Sequence, residues 1–163
     1  MQTLPKTLES TVKVRFPDCD PFNHLNNSKY IDYVINARED QLLENYDLDI
    51  HKIAREKGIS WVVAQNQVAY LTPATLMETV TIQTQLIYCD SKSLVVEALM
   101  WNEDKTSLKS VQWSKFIHVD LRTKKSHTHS DDLMHLFTEV VNPPLEQVSF
   151  ENRVKGLRFS KVS

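Results

Sequence analysis

Glycine is scarce in this chain, whose 163 residues include only Gly58 and Gly156. The P-loop of nucleotide-binding proteins and the dinucleotide-binding fingerprint both need several glycines within a few residues, so the sequence excludes both motifs. Cysteine is equally scarce, since Cys19 and Cys89 are the only two. Two cysteines cannot build a disulfide framework, and we therefore expect a reducing compartment.

Excess charge and long apolar runs are also missing. The formal net charge is -2, which gives no reason to expect a nucleic acid or an anionic membrane as a partner. Residues 1–5 are too short and too polar for a signal peptide, and no apolar run reaches the roughly 20 residues that span a bilayer. We expect a cytoplasmic protein without nucleic-acid or membrane partners. The length predicts one domain with a core large enough to be stable alone.

Hydrophobic periodicity first predicts a strand and then a long helix. Polar and apolar residues alternate over residues 9–16, which is typical of a half-buried strand, and Pro17 ends it. Residues 27–45 have helical spacing with apolar side chains around most of the circumference, so we expect a mostly buried helix. Asn26 or Asn27 is suited to cap it.

The remainder of the sequence reads mainly as strands joined by short polar turns, which suit antiparallel hairpins. A short helix is predicted over residues 49–56, ended by Gly58. The predicted strands span residues 60–70, 80–88, 94–101 and 107–121, and a last helix is predicted over residues 131–140.

This order of elements predicts an α+β fold in which an antiparallel five-stranded curved sheet is wrapped around the long central helix. One helix cannot cover both faces of such a sheet. Its outer face is expected to carry an apolar surface formed by Trp61, Val63, Leu99 and Trp101. We therefore expect a homo-oligomer, a homodimer or a homotetramer.

A single domain is expected over residues 1–142, followed by a C-terminal extension over residues 143–163. Two consecutive prolines, Pro143 and Pro144, break the periodic pattern at this boundary. From residue 151 onward the extension is rich in lysine and arginine, and we expect it to add little to the core.

One loop, residues 16–30, concentrates polar side chains between the first strand and the helix. It contains two aspartates, one histidine and three asparagines, and loops between rigid elements often carry binding and catalytic residues. The start of a helix presents unpaired N–H groups and a partial positive charge. Such groups stabilise an oxyanion that develops on a nearby carbonyl. An aspartate just upstream is able to attack that carbonyl or to take a proton from water.

The run D-C-D-P-F-N-H-L-N-N-S-K-Y at residues 18–30 resembles the D-x-D-x-x-G/N-H-x-N-N-x-x-Y signature of hotdog-fold acyl-CoA thioesterases. That superfamily includes 4-hydroxybenzoyl-CoA thioesterase, the YbgC-like enzymes and the plant acyl-ACP thioesterases. The order of elements over residues 11–140 also resembles theirs. The resemblance implies a hotdog fold and a thioester hydrolase whose substrate is an acyl-CoA or acyl-ACP. It implies no metal and no cofactor, since coenzyme A or the acyl carrier protein is part of the substrate.

The resemblance also implies roles for individual residues. Asp20 matches the catalytic aspartate, which acts as a nucleophile or as a general base, and His24 matches an assisting histidine. Asn27 opens the central helix, where a backbone N–H receives the thioester oxygen. The residues expected to bind substrate are Phe22, Asn23, Asn26, Tyr30, Tyr33 and Trp61.

Three positions depart from the family pattern. Asn23 stands where many relatives have glycine, and asparagine tolerates the positive φ that such a turn needs. Neither Ile35 nor Asn36 is acidic, whereas many relatives carry an acidic residue at this part of the helix. Phe22 stands where the plant enzymes have asparagine, so their full set of catalytic groups does not transfer.

Several alternative interpretations remain open at this stage. Asp18 and Asp20 are also good turn formers, and His24 is also suited to a buried structural role. His127 and His129 with His135 form a weak zinc pattern. The competing functions are a hotdog dehydratase or hydratase and a non-catalytic module that binds acyl-CoA.

Overall fold

A computed structural model describes residues 2–159 of the chain. Its helices and strands, in chain order, are β1 (Thr7–Lys13), α1 (Tyr30–Tyr46), α2 (Ile50–Lys57), β2 (Ile59–Tyr70), β3 (Thr79–Cys89), β4 (Ser93–Asn102), β5 (Leu108–Asp120), β6 (Lys125–Ser126), α3 (Asp131–Val140) and α4 (Phe150–Phe159). Short 3-10 turns at Phe16–Asp18 and Asn27–Lys29 flank the polar loop. No helix within residues 2–159 combines the length and the apolar character needed to cross a membrane.

The strands form one antiparallel sheet in the order β1-β3-β4-β5-β2, and the short β6 pairs with β5. The tight β3–β4 connection is held by Asp90, whose Oδ1 accepts hydrogen bonds from Lys92 N at 2.8 Å and Ser93 N at 2.7 Å. These bonds favour the carboxylate and lower the pKa of Asp90 to about 2. The predicted α+β architecture, with five long strands and a central helix, is confirmed.

Helix α1 packs its narrow buried side against one face of the sheet, here called the inner face. The buried positions are Tyr30, Tyr33, Val34, Ala37 and Gln41, spaced by three and four residues as one helix face requires. The opposite side is open, and Leu43 is 48% exposed. The expectation of a mostly buried helix is therefore wrong for a single copy of the chain, because the sheet covers only one side of α1.

Two of the four residues predicted on the outer face lie on the inner face instead. Trp61 and Val63 line a cavity between α1 and the sheet, whereas Leu99 and Trp101 pack in a cluster on the opposite face. Alternation within a strand shows which residues share a face, but it does not show which faces of two different strands coincide. A bulge between Val63 and Gln65 further reverses the alternation within β2.

The expectation that the basic tail adds little to the core is also wrong for its described part. Helix α4 covers part of the outer face, where Val154 is buried in the cluster that contains Leu99. Arg153 donates two hydrogen bonds of 2.8 Å to the fully buried carboxylate of Glu97. The end of the predicted extension, residues 160–163, lies outside the described residues.

Candidate active site

The polar loop is held as a small hairpin by backbone hydrogen bonds. Asp20 N donates to His24 O, and Asn26 N donates to Asp18 O, both at 2.8 Å. Leu25 is 1% exposed and anchors the hairpin in the core. Its N–H donates to Ala74 O at 2.8 Å, which ties the loop to the segment before β3. The sequence therefore places its polar residues on a fixed loop rather than on a mobile one.

Asp20 uses one carboxylate oxygen to shape the turn and leaves the other free. Oδ1 accepts hydrogen bonds from Phe22 N at 2.9 Å and from His24 N at 3.1 Å. Oδ2 accepts no hydrogen bond from any described residue. Asn23 follows in the left-handed conformation with φ of 59°, as expected for an asparagine in place of glycine. Asp20 is thus a turn residue that still presents an unshared carboxylate oxygen.

The start of the helical segment leaves one backbone donor unused. The side chain of Asn26 caps it, since Oδ1 accepts from Ser28 N at 3.0 Å, and Asn26 O accepts from Lys29 N at 2.8 Å. Between them, Asn27 N has no acceptor within residues 2–159. On the other side of this residue, Asn27 O accepts a 3.0 Å hydrogen bond from Tyr70 Oη. The start of the helical segment therefore carries a free N–H, and the hydrogen bond from Tyr70 on β2 fixes the position of the residue that bears it.

Tyr33 and Tyr30 hold the loop and the segment before β3 against α1. Tyr33 Oη donates to Asp18 Oδ2 at 2.6 Å and accepts from Arg15 N at 3.2 Å. Burial, followed by this bond to Asp18, raises the pKa of Tyr33. Tyr30 Oη accepts from Ala74 N at 3.2 Å, and burial raises its pKa as well. Both hydroxyls predicted to bind substrate are thus engaged in intramolecular hydrogen bonds.

The remaining predicted site residues divide between two places. Phe22 is 79% exposed beside the ring of His24, with their centroids 6.5 Å apart. Trp61 lies away from the loop, where its Nε1–H donates to His129 Nε2 at 3.0 Å and its ring packs near Phe137. The structure brings together Asp20, Phe22, Asn23, His24, Asn26, Asn27, Tyr30 and Tyr33, and it separates Trp61 from them.

The weak zinc pattern gains no support from the described residues. His129 is buried, and its Nδ1 lies 2.9 Å from Asp90 O while its Nε2 accepts from Trp61. Burial lowers the pKa of His129, which favours the neutral ring that this arrangement requires. No group of three or more metal-ligating side chains occurs within residues 2–159.

A cavity of about 210 Å³ lies between α1 and the inner face of the sheet. Its wall is mainly apolar and includes Val34, Leu42, Leu86, Val96 and Phe137. Val34 lies four residues after Tyr30, so the cavity begins about one helical turn from the polar loop. An apolar chain attached to a group held at the loop would extend along α1 into this space.

Sequence reasoning missed two features of this region. Tyr70 was assigned only to a strand, because nothing local shows that its hydroxyl reaches the start of the helix. Arg38 and Gln112 line the cavity although neither was singled out. A signal for Arg38 does exist, since it lies four residues after Val34 and three before Gln41, on the side of α1 that faces the sheet.

Comparisons with known proteins agree with this geometry. A family model described as the thioesterase-like superfamily matches residues 14–148. The long-chain acyl-CoA thioesterase FadM of Escherichia coli (strain K12) is 28% identical over 134 residues, which cover 82% of this chain and 99% of FadM.

Solved structures resemble the chain over most of its length. The probable thioesterase YbaW from Escherichia coli has a TM-score of 0.70 at 25% identity and covers 83% of this chain and 99% of its own. A Staphylococcus aureus protein solved in complex with CoA has a TM-score of 0.77 at 14% identity, covering 93% and 94% of the two chains.

Proposed function

The chain belongs to the thioesterase-like superfamily, and on that premise we propose that it hydrolyses acyl-CoA thioesters to a free acid and coenzyme A. The predictions of a hotdog fold and of a thioester hydrolase are confirmed by the family and by its relatives. Coenzyme A is favoured over an acyl carrier protein because FadM is named for acyl-CoA substrates and a structural relative was solved with CoA.

The observation that supports this proposal most directly is the pair of unused polar groups in one fixed loop. Asp20 Oδ2 and Asn27 N–H both lack partners among the described residues. A carboxylate oxygen supplies a nucleophile or a general base, and an unpaired N–H at a helix start supplies an oxyanion donor. Thioester hydrolysis needs these two groups near one carbonyl carbon.

In the proposed reaction, the thioester oxygen accepts a hydrogen bond from Asn27 N–H, helped by the positive end of the helix. Asp20 Oδ2 then attacks the carbonyl carbon, or it takes a proton from a water that attacks. The carbon–sulfur bond breaks, and the CoA thiolate leaves and takes up a proton. If Asp20 is the nucleophile, the acyl group remains on it as a mixed anhydride, which water hydrolyses to the free acid and the Asp20 carboxylate. His24 is proposed to assist from the same loop, where its backbone N–H donates to Asp20 Oδ1. We propose that no redox cofactor is required, since no electron is transferred, and that no metal is required, since Asn27 N–H stabilises the oxyanion.

The acyl chain is proposed to enter the cavity between α1 and the sheet. The cavity begins one turn beyond Tyr30 and is mainly apolar, so it removes a hydrocarbon chain from water. Trp61 lines this cavity, and its predicted contact with substrate is therefore proposed for the acyl chain rather than for the thioester.

We further propose that the active form is a homodimer assembled at the free edge of β2. This strand contains no charged residue and no proline, and Val62 and Val63 are 46% and 43% exposed. An exposed, uncharged edge strand offers unpaired backbone groups to another strand. Because Val63 also lines the cavity, a second copy at this edge would close its open side.

A thiol-release assay on short, long, branched and aromatic acyl-CoAs tests the proposed function. Stoichiometric release of free CoA and of the matching acid is expected for at least one class. Hydration of an enoyl-CoA without thiol release would instead identify a hydratase. Tight binding of acyl-CoA with no turnover would identify a non-catalytic module.

A further inference from the structure

A half-buried arginine lies in the wall of the apolar cavity. Arg38 lines it from α1, and burial lowers the pKa of its guanidinium to about 10, so the group remains charged at neutral pH. Within residues 2–159 it makes one hydrogen bond, from Nη1 to Thr84 Oγ1 at 2.8 Å, and no ion pair. A guanidinium carries five N–H donors, so most of them lack a protein acceptor.

A buried hydrogen-bond chain fixes the position of Arg38. Thr84 Oγ1 donates to Gln41 Oε1 at 2.5 Å, so its oxygen is left to accept from Arg38. Gln41 Nε2 in turn donates to Ser10 Oγ at 2.8 Å and to Ile82 O at 3.0 Å. Gln41 and Thr84 are both fully buried. The charged group is therefore held inside the cavity by α1, β1 and β3 together.

A hydrogen-bond acceptor without a partner in the described part of the chain, the side-chain oxygen of Gln112, lies in the wall of the same cavity. Gln112 lines the same cavity and is 1% exposed. Its Nε2 donates to Ser114 Oγ at 2.8 Å, while its Oε1 has no partner among the described residues. A buried amide oxygen without a partner is costly to the fold, so a ligand hydroxyl that donates to Gln112 would recover that cost.

The sheet register places the two groups on either side of a small residue. Thr84 pairs with Ala98, and Ala98 pairs with Gln112, so Thr84 and Gln112 are two strand spacings apart, about 10 Å between backbones. Ala98 lines the cavity between them, and its methyl side chain leaves space. Arg38, which donates to Thr84, and Gln112 on β5 thus line the same cavity on either side of Ala98, one with free donors and the other with a free acceptor.

We propose that this position selects acyl groups that carry a hydroxyl far from the thioester, with the hydroxyl oxygen accepting from Arg38 and its proton donated to Gln112 Oε1. A hydroxyl satisfies both groups, whereas a carboxylate or a ketone offers no proton to Gln112. The inference depends on the proposed function, because it assumes that the acyl chain enters this cavity.

Helix geometry gives an approximate position for that hydroxyl. Arg38 lies eight residues after Tyr30, which is about 12 Å along α1. Asn27, whose N–H holds the carbonyl, lies one 3-10 turn before Tyr30, and the Arg38 side chain leans back toward the start of the helix, which offsets this extra turn. An extended chain advances about 1.2 Å per bond, since a residue of three bonds spans about 3.5 Å. The hydroxyl is therefore expected about ten bonds from the thioester carbonyl, near the far end of a medium-length acyl chain.

The test compares kcat/KM for dodecanoyl-CoA and for its 10-hydroxy and 3-hydroxy derivatives. The wild-type protein is expected to prefer the 10-hydroxy substrate over the plain chain about ten- to a hundredfold, the range for hydrogen bonds to a charged group. The 3-hydroxy derivative, whose hydroxyl cannot reach Arg38, should gain no such preference. Equal values for the 10-hydroxy and plain substrates would overturn the inference.

Variants identify the residues responsible for the preference. Arg38→Met and Gln112→Leu should each bring the ratio of 10-hydroxy to plain substrate close to one. Arg55→Met is the matched control, since Arg55 is exposed on α2 and does not line the cavity, and it should keep the wild-type ratio. An unchanged ratio in both folded cavity variants would contradict the assignment, and if neither folds, the wild-type comparison decides it.

The two proposals fail in different ways. Thiol release from all three substrates at equal kcat/KM would support the thioesterase activity and contradict the hydroxyl selectivity. If no thiol were released from these substrates or from any acyl-CoA of the wider panel, both the proposed function and the selectivity would be contradicted. A preference for a chain ending in a carboxylate over the 10-hydroxy chain would show that Arg38 pairs with an anion, against the role given to Gln112.

Discussion

Two aspartates only two residues apart have different surroundings in the polar loop. Asp18 Oδ2 accepts the 2.6 Å hydrogen bond from Tyr33 Oη and ties the loop to α1. Asp20 Oδ1 accepts two backbone N–H groups, while Asp20 Oδ2 stays free. At the scale of single residues, the hydrogen bonds therefore separate a carboxylate that holds the fold from one that is available for chemistry.

Asp20→Asn is predicted to lower kcat for acyl-CoA hydrolysis about 10²- to 10⁴-fold, the usual contribution of a positioned base. The asparagine oxygen can still accept from Phe22 N and His24 N, so the thermal midpoint should change little. Steady-state thiol release and thermal unfolding, measured on the same samples, check both expectations.

Asp18→Asn is the matched control for that substitution. It weakens the bond from Tyr33 Oη and should lower the thermal midpoint, while kcat falls far less than in Asp20→Asn. If the two variants lost the same activity, or if Asp20→Asn retained full turnover, Asp20 would have no chemical role.

At the scale of elements, α4 is attached to the sheet by apolar contacts of Val154 and by one ion pair, between Arg153 and the buried Glu97. Burial alone would raise the pKa of Glu97, but hydrogen bonds from Arg153 and Trp113 and the charge of Arg153 outweigh it and lower that pKa. The same pairing raises the pKa of Arg153. A carboxyl whose pKa is lower when folded contributes stability above its unfolded value of about 4.5, and loses it as the pH falls through the folded pKa.

We predict that α4 detaches from the sheet as the pH falls below about 4.5, because protonated Glu97 no longer pairs with Arg153. Amide hydrogen exchange in residues 150–159 should then rise before exchange in β3 and β4. In Glu97→Gln, exchange in α4 should already be faster at neutral pH and should lose this acid dependence.

Glu151→Gln serves as the control, because Glu151 is an exposed acidic residue in the first turn of the same helix. Its exchange profile should follow the wild-type protein at every pH. Acid-induced exchange that persists in Glu97→Gln would show that another group controls the attachment of α4.

The elements also show how far the sequence alone could lead. Local signals predicted α1, α2 and the four long strands, because periodicity, caps and polar turns act within a few residues. Helix α4 escaped prediction because its stability comes from Glu97 and Leu99, more than fifty residues away along the chain. The pairing of Arg38 with Thr84 and the free oxygen of Gln112 depend on sheet register, which no local pattern contains.

At the scale of the whole molecule, the two edges of the sheet differ in kind. Edge strand β1 carries Glu9 and Lys13, and Glu9 pairs with Lys105 at 2.6 Å. Edge strand β2 has no charge over twelve residues, and residues 62–67 are all exposed. Charged edges discourage strand pairing and uncharged ones permit it, so the molecule presents one edge suited to a second copy.

Replacing Gln65 and Gln67 of β2 with lysine is predicted to convert a dimer into monomers. In an antiparallel two-fold pair the added charges of the two copies lie close together and repel. Light scattering after size-exclusion chromatography should give twice the mass of one 18.9 kDa chain for the wild-type protein. The variant should have the mass of one chain. Thr11→Lys on β1 is the control and should remain a dimer. A monomeric, fully active wild-type protein would contradict the proposed assembly.

The central claim is that the N–H at the start of the helical segment receives the thioester oxygen. Asn27→Pro removes that N–H together with the side chain and should leave the helical turn intact, since Asn27 is its first residue, where proline is tolerated. The preceding Asn26 already has the extended conformation, with ψ of 135°, that a residue before proline adopts.

Comparing kcat for acyl-CoA hydrolysis in Asn27→Pro and Asn27→Ala is therefore the most direct measurement. Asn27→Ala loses the side chain but keeps the N–H, so any difference between the two variants reports the backbone donor. The account predicts that Asn27→Pro falls about 10²- to 10³-fold below Asn27→Ala, as for loss of one oxyanion donor. Equal rates in the two folded variants would contradict it.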